Sequence, residues 1–277
     1  MLFVIKLTNV MTILQAIILG IVQGAGEFLP VSSSGHLIAL PQLLGWVDPG
    51  LEFDIALHWG TLAAVLIFFW RDWVALLKSG LSGAKNPEGR MFWFLMAATL
   101  PGAFIGYLLE HQVENQFRNI GLVGITLIVM GVVLYLADRF GTKNVSFEQI
   151  NFRQSLAIGF SQALAIIPGV SRSGATISCA RILGIDRVSA ARFSFLLSTP
   201  IILGSAALPL RKIAHQGFHF PAGYFLAGMF TAAVVGLLSI RFLLRYLQKS
   251  DFRIFVWYRF LFGTFLVLFY FLRIRGI

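Results

Sequence analysis

Long apolar stretches separated by short polar segments run along most of the chain. Six of these stretches lie near 53–70, 91–109, 119–137, 193–210, 221–240 and 254–272. Each is long enough to cross a bilayer, which takes about 20 residues at about 1.5 Å per residue in a helix. The pattern predicts an all-α integral membrane protein that forms a single membrane domain over residues 1–277.

Four shorter apolar pieces lie near 11–28, 36–46, 155–167 and 174–184. Pro, Gly and Ser break them into two pairs, which predicts re-entrant helix hairpins whose exposed backbone lines a cavity rather than facing lipid. Residues 1–25 also have the layout of a signal peptide that begins with Lys6. Because a copy of the following stretch stands inside the chain at 156–176, we interpret them as part of the mature fold.

The two interruptions are copies of one segment. Residues 20–35 read GIVQGAGEFLPVSSSG and residues 159–174 read GFSQALAIIPGVSRSG. At this offset of 139, Gly20, Gln23, Val31, Ser32, Ser34 and Gly35 match Gly159, Gln162, Val170, Ser171, Ser173 and Gly174. Paired broken helices mark the ligand site in many membrane proteins built from repeats. The copies differ in chemistry, because the first carries Glu27 and His36 and the second carries Arg172.

The arrangement of crossings predicts two repeats of opposite orientation. A hairpin returns to the side it entered, so each half of the chain holds a hairpin and three crossings, and three is an odd number. The first repeat spans about 10–140 and the second about 153–275. The predicted fold is therefore two inverted-topology repeats, each a re-entrant helix hairpin plus three transmembrane helices.

Composition and charge agree with a membrane protein. The chain is 57% hydrophobic and 12% charged, with a mean hydropathy of +0.81, which excludes a soluble domain. Of its 22 Lys and Arg residues, 15 fall on one predicted side. The other side holds Lys6, Arg118, Arg211, Lys212, Arg273 and Arg275, and Arg172 is left for the interior. The richer side is predicted to be cytoplasmic, so the net charge of +10 indicates contact with anionic membrane lipids rather than nucleic acid.

The two Ser/Gly clusters have the chemistry of an anion site. A half-helix is predicted to begin at about Gly35 and another at about Gly174, with serine hydroxyls capping the free backbone N–H groups. Helix starts attract phosphate, and the planar fork of Arg172 can grip two phosphate oxygens. The alternative is that Arg172 extends to the lipid headgroups.

A carboxylate, hydroxyls and an imidazole stand near the first cluster. Glu27 follows Gln23 by four residues on one helix face, and a carboxylate at this depth is a functional candidate unless it only packs against Arg172. His36 follows three serines, which suits nucleophilic or acid–base chemistry, although a lone histidine is often a hydrogen-bonded core residue. Thr176 lies one turn after Arg172.

Other polar residues are interpreted as structural. Asp54 and His58 are i,i+4 partners expected to satisfy each other, and Arg259 is expected to extend towards the cytoplasmic headgroups. The chain has no GxxxxGK[ST] loop and no HExxH motif. Cys179 is the only cysteine, which excludes an internal disulfide.

At these residues the chain resembles the bacterial undecaprenyl-pyrophosphate phosphatase family associated with bacitracin resistance. QGAGEFLPVSSSGH at 23–36 and PGVSRSGAT at 168–176 are similar to its two motifs, supported by FDIALHWGTLAAV at 53–65 and ARFSFLLSTP at 191–200. The resemblance covers nearly the whole chain. It implies interlocked repeats in the bacterial cytoplasmic (inner) membrane, a site that faces outward, and removal of the terminal phosphate of undecaprenyl pyrophosphate to recycle the lipid carrier of cell-wall synthesis.

The resemblance also implies roles for individual residues. Glu27 and Gln23 would bind a divalent cation, Mg²⁺ or Ca²⁺, or activate the attacking group, and Ser33 or His36 would be the nucleophile. Arg172 would hold the pyrophosphate. The substrate-binding set is Ser32, Ser34, Gly35, Ser171, Ser173, Gly174 and Thr176. Many family members have Glu where this chain has Gln23, so the position lacks a charge that would help to hold a cation.

A polyprenyl-phosphate flippase or secondary transporter is the rival hypothesis, because inverted repeats with broken helices are typical of transporters. The Glu, Ser, His and Arg set favours an enzyme, since moving a lipid across the membrane requires no nucleophile. The expected partners are the polyprenyl pyrophosphate substrate and membrane lipids, with a homodimer left open.

Overall fold

The computed structural model describes residues 11–84, 86–116, 118–141, 145–216 and 222–274, without the side chains of 51, 110–116 and 205–216. Its helices are α1 (Ile13–Phe28), α2 (Ser33–Leu44), α3 (Gly50–Phe68), α4 (Trp70–Leu81), α5 (Pro87–Gln116), α6 (Ile120–Phe140), α7 (Phe152–Gln162), α8 (Arg172–Ile182), α9 (Arg187–Gln216), α10 (Ala222–Tyr246) and α11 (Arg253–Ile274). Two short 3₁₀ helices, Phe147–Gln149 and Ala163–Ile166, precede and follow α7. The described ranges contain no β-strand, which confirms the all-α prediction.

Four described helices are long and apolar enough to cross a membrane alone: Pro87–Leu109, Ile120–Phe140, Ala222–Tyr246 and Arg253–Ile274. The pair Glu52–Phe68 and Trp70–Leu81 meets the same requirement together, although it bends by 78°. These segments coincide with five of the six predicted crossings. The predicted first crossing, 53–70, lies almost wholly in α3, and the chain turns at Phe69, near the end of that predicted crossing.

The sixth predicted crossing falls in α9, which is helical but is not among those spans in the described part of the chain. On the described part of α9, the hydroxyls of Ser189, Ser194, Ser198 and Thr199 are buried and face the protein interior.

Helices from the two predicted repeats exchange packing partners. α1 packs against α10, and its counterpart α7 packs against α5. The matched glycines make this possible: a Cβ on Gly20 would lie 2.6 Å from the Gly228 carbonyl oxygen of α10, and one on Gly159 would collide with the Ala98 backbone of α5. Small residues allow such close helix contacts. This exchange of packing partners is expected for interlocked repeats. The inverted orientation of the two repeats stays a prediction.

α6 and α11 pack closely against each other. A Cβ on Gly124 would lie 2.7 Å from the Gly263 carbonyl oxygen, and a Cβ on Gly263 would lie 2.7 Å from the Gly124 carbonyl oxygen. Each helix therefore presents a glycine to the other, and no larger residue fits at either position without moving the backbones apart.

A buried carboxylate ties four elements together at one end of the molecule. Asp138 of α6 accepts hydrogen bonds from Arg181 of α8 at 3.1 Å and from two nitrogens of Arg187 of α9 at 2.7 and 2.9 Å. The backbone N–H of Phe252, just before α11, donates to the same carboxylate at 3.3 Å. A buried ion pair with most of its hydrogen-bonding groups satisfied fixes relative positions well, and here it places the far end of α8.

Both predicted interruptions are present. α1 ends at Phe28 and α2 begins at Ser33, while α7 and its 3₁₀ extension end at Ile166 and α8 begins at Arg172. α2 and α8 each begin two residues before the predicted starts at about Gly35 and Gly174. Lys6, Lys85, Lys143 and Arg275, which enter the predicted charge asymmetry, lie outside the described residues.

Candidate active site

The two interruptions share one backbone geometry. Ser32 precedes α2 and Ser171 precedes α8, and in the described ranges they are the only non-glycine residues with a positive φ, at 74° and 73°. The Ser32 hydroxyl accepts a hydrogen bond from Gly35 N–H at 3.3 Å, and the Ser171 hydroxyl accepts one from Gly174 N–H at 3.0 Å. A non-glycine residue in this region costs about 1–3 kcal/mol and persists only where its surroundings hold it. The predicted serine caps are confirmed.

A second serine in each turn lies beside the cap. The Ser34 hydroxyl is 3.4 Å from that of Ser32, and the Ser173 hydroxyl is 3.2 Å from that of Ser171. Ser173 also donates to the Leu29 carbonyl at the end of α1 at 3.2 Å, which connects the second turn to the first. These hydroxyls and the capped glycine N–H groups are engaged with the protein itself, so their role in binding phosphate stays a prediction.

The two turns touch directly. A Cβ on Gly35 would lie 3.3 Å from the Gly169 Cα of the other turn and 3.0 Å from Val123 of α6. From α6, Thr126 donates a hydrogen bond to the Pro168 carbonyl at 2.7 Å. The sequence repeat therefore becomes one structural unit in which two helix starts and their caps adjoin.

The side chain of Arg259, in α11, contacts both turns. It is fully buried and donates to the Pro30 carbonyl of the first turn. It also donates to the Gly169 and Val170 carbonyls of the second, at 3.4 and 3.3 Å. The expectation that Arg259 extends to the headgroups is wrong, because the carbonyls freed where the two helix pairs break satisfy its donors inside the protein.

Glu27 is the centre of the polar cluster. Its carboxylate accepts hydrogen bonds from Arg172 at 2.9 Å, from the Ser33 hydroxyl at 2.8 Å and from the Gln23 amide at 3.1 Å. The Glu27 side chain is only 7% exposed, and a buried carboxylate without partners would be strongly destabilising. Four residues predicted to act together are therefore in contact.

Arg172 is held by two groups. Its second terminal nitrogen donates to the Ser194 carbonyl of α9 at 2.9 Å, and Thr176 lies 2.7 Å from the Ser194 hydroxyl while donating to the Arg172 carbonyl at 2.8 Å. The guanidinium is thus fixed inside the protein, not extended to the headgroups. Because arginine has five N–H donors, further donors remain for an anion.

His36 lies on another side of the first turn. Its Nδ1 is 2.7 Å from the Ser32 carbonyl oxygen and its Nε2 is 2.5 Å from the Tyr258 hydroxyl. The ring stacks on Phe262 with a centroid distance of 4.5 Å. Both ring nitrogens therefore contact groups other than Glu27 and Arg172, and the imidazole is not part of the Glu27 cluster.

Two residues of this site were missed by the sequence reasoning. His58 of α3 places its Nε2 3.7 Å from a Glu27 carboxylate oxygen, and its Nδ1 is 2.7 Å from the Asp54 backbone carbonyl. The Asp54 carboxylate pairs with Arg118 at 3.5 Å, so the interpretation that Asp54 and His58 only satisfy each other is wrong. Ser194 is the other. His58 lies in segment 53–65 and Ser194 in segment 191–200, the two segments that support the family resemblance. That resemblance is the sequence signal that could have identified both residues.

The cluster has a limited donor set for a cation. Within the described residues there is no group of three His, Cys, Asp or Glu that could hold a metal. Glu27 and His58 supply a carboxylate and an imidazole, and Gln23 adds a buried carbonyl oxygen, Oε1, that has no hydrogen-bond partner. An unsatisfied buried acceptor beside a carboxylate is a ready oxygen ligand for a hard cation.

The chain is similar to proteins of known name over almost its full length. A family model described as bacitracin resistance protein BacA matches residues 16–265. A protein named undecaprenyl-diphosphatase from Moorella thermoacetica is 50% identical, covering 95% of this chain and 100% of its own. Proteins of the same name from Desulforudis audaxviator and Pelotomaculum thermopropionicum are each 51% identical, covering 94% and 91% of this chain and 98% and 95% of theirs.

Proposed function

The chain belongs to the bacitracin resistance protein BacA family, and we propose that it is a multi-pass membrane phosphatase. It hydrolyses undecaprenyl pyrophosphate to undecaprenyl phosphate and inorganic phosphate, the activity named for its relatives. The observation that carries the proposal is the contact of Arg172 and Ser33 with the two oxygens of one buried carboxylate, Glu27. An anion-binding group and an activated hydroxyl therefore lie on opposite sides of one proton acceptor.

In the proposed first step Ser33 attacks the terminal phosphorus of the substrate. A bond forms between Ser33 Oγ and phosphorus, and the bond from phosphorus to the bridging oxygen breaks, so undecaprenyl phosphate leaves with the electron pair. Glu27 accepts the hydroxyl proton over the 2.8 Å contact. Ser33 is favoured over His36 as nucleophile because only Ser33 contacts the carboxylate.

In the second step water attacks the phosphoserine. The new oxygen–phosphorus bond replaces the bond to Ser33 Oγ, which recovers its proton from Glu27, while the water releases one proton to solvent. Arg172 stabilises the charge on the transferred group, because its position is fixed in advance by Glu27 and the Ser194 carbonyl. The helix starts after Ser32 and Ser171 add partial positive charge.

We propose that the enzyme works with a divalent cation, Mg²⁺ in the first instance. Glu27 and the unpartnered Gln23 carbonyl would hold it together with phosphate oxygens of the substrate, which is the usual arrangement for Mg²⁺. The bound cation would neutralise charge on the pyrophosphate. Gln23 in place of a glutamate leaves one carboxylate in this cluster, and phosphate oxygens of the substrate would add to the affinity for the cation. An outward-facing site and a homodimer stay predictions.

The flippase or transporter alternative is not favoured. The relatives are named for a hydrolytic activity, and the hydroxyl of Ser33 is hydrogen-bonded to a carboxylate, as a nucleophile requires. Transport needs no such pair.

Release of phosphate by the purified full-length protein from undecaprenyl pyrophosphate tests the proposal. We expect Glu27→Ala and Arg172→Ala to abolish release, and His36→Ala to retain a measurable rate because the imidazole lies outside the Glu27 cluster. Trapping with substrate labelled in the terminal phosphate should give an acid-stable phosphoserine. An acid-labile adduct that His36→Ala removes would contradict the choice of Ser33, and unchanged turnover in both Glu27→Ala and Arg172→Ala would overturn the site.

A further inference from the structure

His58 stands next to Glu27 at a distance that a hydrogen bond does not explain. Its Nε2 is 3.7 Å from the nearest Glu27 oxygen, beyond the roughly 2.7–3.2 Å of a good N–H···O bond. Two ligand atoms bound to one ion at about 2.0–2.2 Å, with a bond angle of about 90–110°, lie about 2.8–3.6 Å apart. The observed separation is within a few tenths of an ångström of that spacing.

The orientation of the His58 ring is already set. Its Nδ1 lies 2.7 Å from the Asp54 backbone carbonyl, which can only accept a hydrogen bond, so Nδ1 carries the hydrogen. In the neutral ring the lone pair is then on Nε2, the nitrogen on the Glu27 side. A histidine that binds a metal through one nitrogen nearly always donates its other N–H to a carbonyl or carboxylate in this way.

A third donor adjoins the pair from the same helix as Glu27. Gln23 is buried, its amide nitrogen donates to Glu27 at 3.1 Å, and its carbonyl oxygen Oε1 has no partner. Glu27, Gln23 and His58 together offer a carboxylate oxygen, an amide oxygen and an imidazole nitrogen on two packed helices, α1 and α3. Phosphate oxygens and water would complete the coordination of an ion at this place.

We propose that His58 is a direct nitrogen ligand of the divalent cation in this protein. The inference rests on the proposed function for the presence of that cation, and it goes further by assigning a mixed nitrogen and oxygen site. Imidazole favours Mn²⁺, Co²⁺ and Zn²⁺ over Ca²⁺, which prefers oxygen ligands alone. The site therefore selects a transition metal ion more strongly than an all-oxygen site would, and the nitrogen adds a neutral ligand beside the uncharged carbonyl of Gln23.

The competing explanation is that a protonated His58 forms a simple ion pair with Glu27. The neighbouring charges are Glu27 from α1 and Asp54 from α3, with Arg172 beyond Glu27 and Arg118 beyond Asp54. An ion pair predicts no metal–nitrogen bond and no change of metal preference on replacing His58 by a neutral amide. The two explanations therefore differ in a spectroscopic property.

Pulsed electron paramagnetic resonance of bound Mn²⁺ tests the inference without substrate and without activity. Purified full-length protein is stripped with a chelator and titrated with Mn²⁺ alone. We expect ¹⁴N modulation from one imidazole in the wild type and its loss in His58→Gln, with Mn²⁺ affinity at least about tenfold weaker. His36→Gln is the matched control, since both nitrogens of that ring are already engaged, and it should keep signal and affinity.

Competition with Ca²⁺ gives a second readout. The excess of Ca²⁺ needed to displace Mn²⁺ should be about tenfold smaller in His58→Gln than in the wild type. Absence of ¹⁴N modulation in the wild type, or its persistence in His58→Gln, overturns the inference. If His58→Gln does not fold, the comparison of the wild type with His36→Gln still tests the inference. Loss of the ¹⁴N signal in His36→Gln would show that the bound nitrogen belongs to His36 and not to His58.

The outcome is separate from that of the proposed function. Phosphate release without ¹⁴N modulation would overturn the role of His58 and leave the phosphatase in place. A clear ¹⁴N signal without phosphate release would contradict the proposed function and leave the metal ligand standing.

Discussion

The turn around Ser32 and the turn around Ser171 have nearly the same backbone and different chemistry. Their φ angles are 74° and 73°, and each serine caps a helix through a glycine N–H three residues later. At the position directly after the cap, one turn carries Ser33 and the other carries Arg172. A duplicated backbone therefore supplies a hydroxyl from one copy and a guanidinium from the other to the same carboxylate.

The difference extends to the helix before each turn. Gln23 and Gln162 are matched and both are buried, but Gln23 donates to Glu27 while neither amide atom of Gln162 has a partner. The position that matches Glu27 is Ile166. The comparison indicates that the geometry of the turns belongs to both copies and that the proton acceptor belongs to one.

The strongest test of this division of roles is Ser33→Ala. If Ser33 is the nucleophile, phosphate release should fall by at least about a thousandfold, as it does when other covalent catalysts lose theirs. Ser34→Ala is the matched control, because Ser34 lies in the same turn but contacts the cap and not Glu27. It should lose less than about tenfold, the cost of one hydrogen bond. Equal losses in the two variants would contradict the assignment.

Arg172→Lys tests the other copy. Lysine keeps the charge but cannot contact Glu27 and the Ser194 carbonyl with one planar group, so we expect kcat to fall by about 10²–10³. The control is Arg253→Lys, in an exposed ion pair with Asp251, which should leave kcat and KM unchanged. A twofold effect of Arg172→Lys would show that charge alone suffices at this position.

The two serine caps should contribute equally to the free energy of unfolding. Ser32→Ala and Ser171→Ala each remove one capping hydrogen bond and keep a strained φ, which costs about 1 kcal/mol of unfolding free energy. For a chain of this size that is about 2–4 °C in the unfolding midpoint. Ser→Gly at either position should cost less, since glycine adopts a positive φ freely. Thermal unfolding in detergent measures all four variants, and a clear difference between the turns would contradict their equivalence.

The smallest effect is expected at Gln162. Gln162→Leu removes a buried amide without partners and keeps the volume, so the unfolding midpoint should stay the same or rise slightly. Gln23→Leu removes the contact with Glu27 and should lower phosphate release. A fall in the midpoint of Gln162→Leu would show that this amide is satisfied by a group such as water.

Much of the site followed from local sequence. Gln23 and Glu27 are four residues apart on one helix, and Ser32 and Ser171 cap helices through residues three positions away. Interactions over so few positions depend on the helical repeat and on cap chemistry, which a sequence displays directly. The proline and glycine breaks, the apolar crossings and the pairing of Glu27 with Arg172 as candidates were predictable for the same reason.

What the sequence by itself determined is therefore the helices, their interruptions and the residue types of the cluster. The tertiary structure alone decided that His36 turns towards Tyr258, that His58 and Ser194 join the cluster, and that Arg259 bridges the turns. These contacts join residues 22 to 229 positions apart, between helices whose rotation and depth depend on the packing of the whole bundle. No local pattern specifies that rotation, so the partner of a polar side chain on a membrane helix becomes known only when the neighbouring helices are in place.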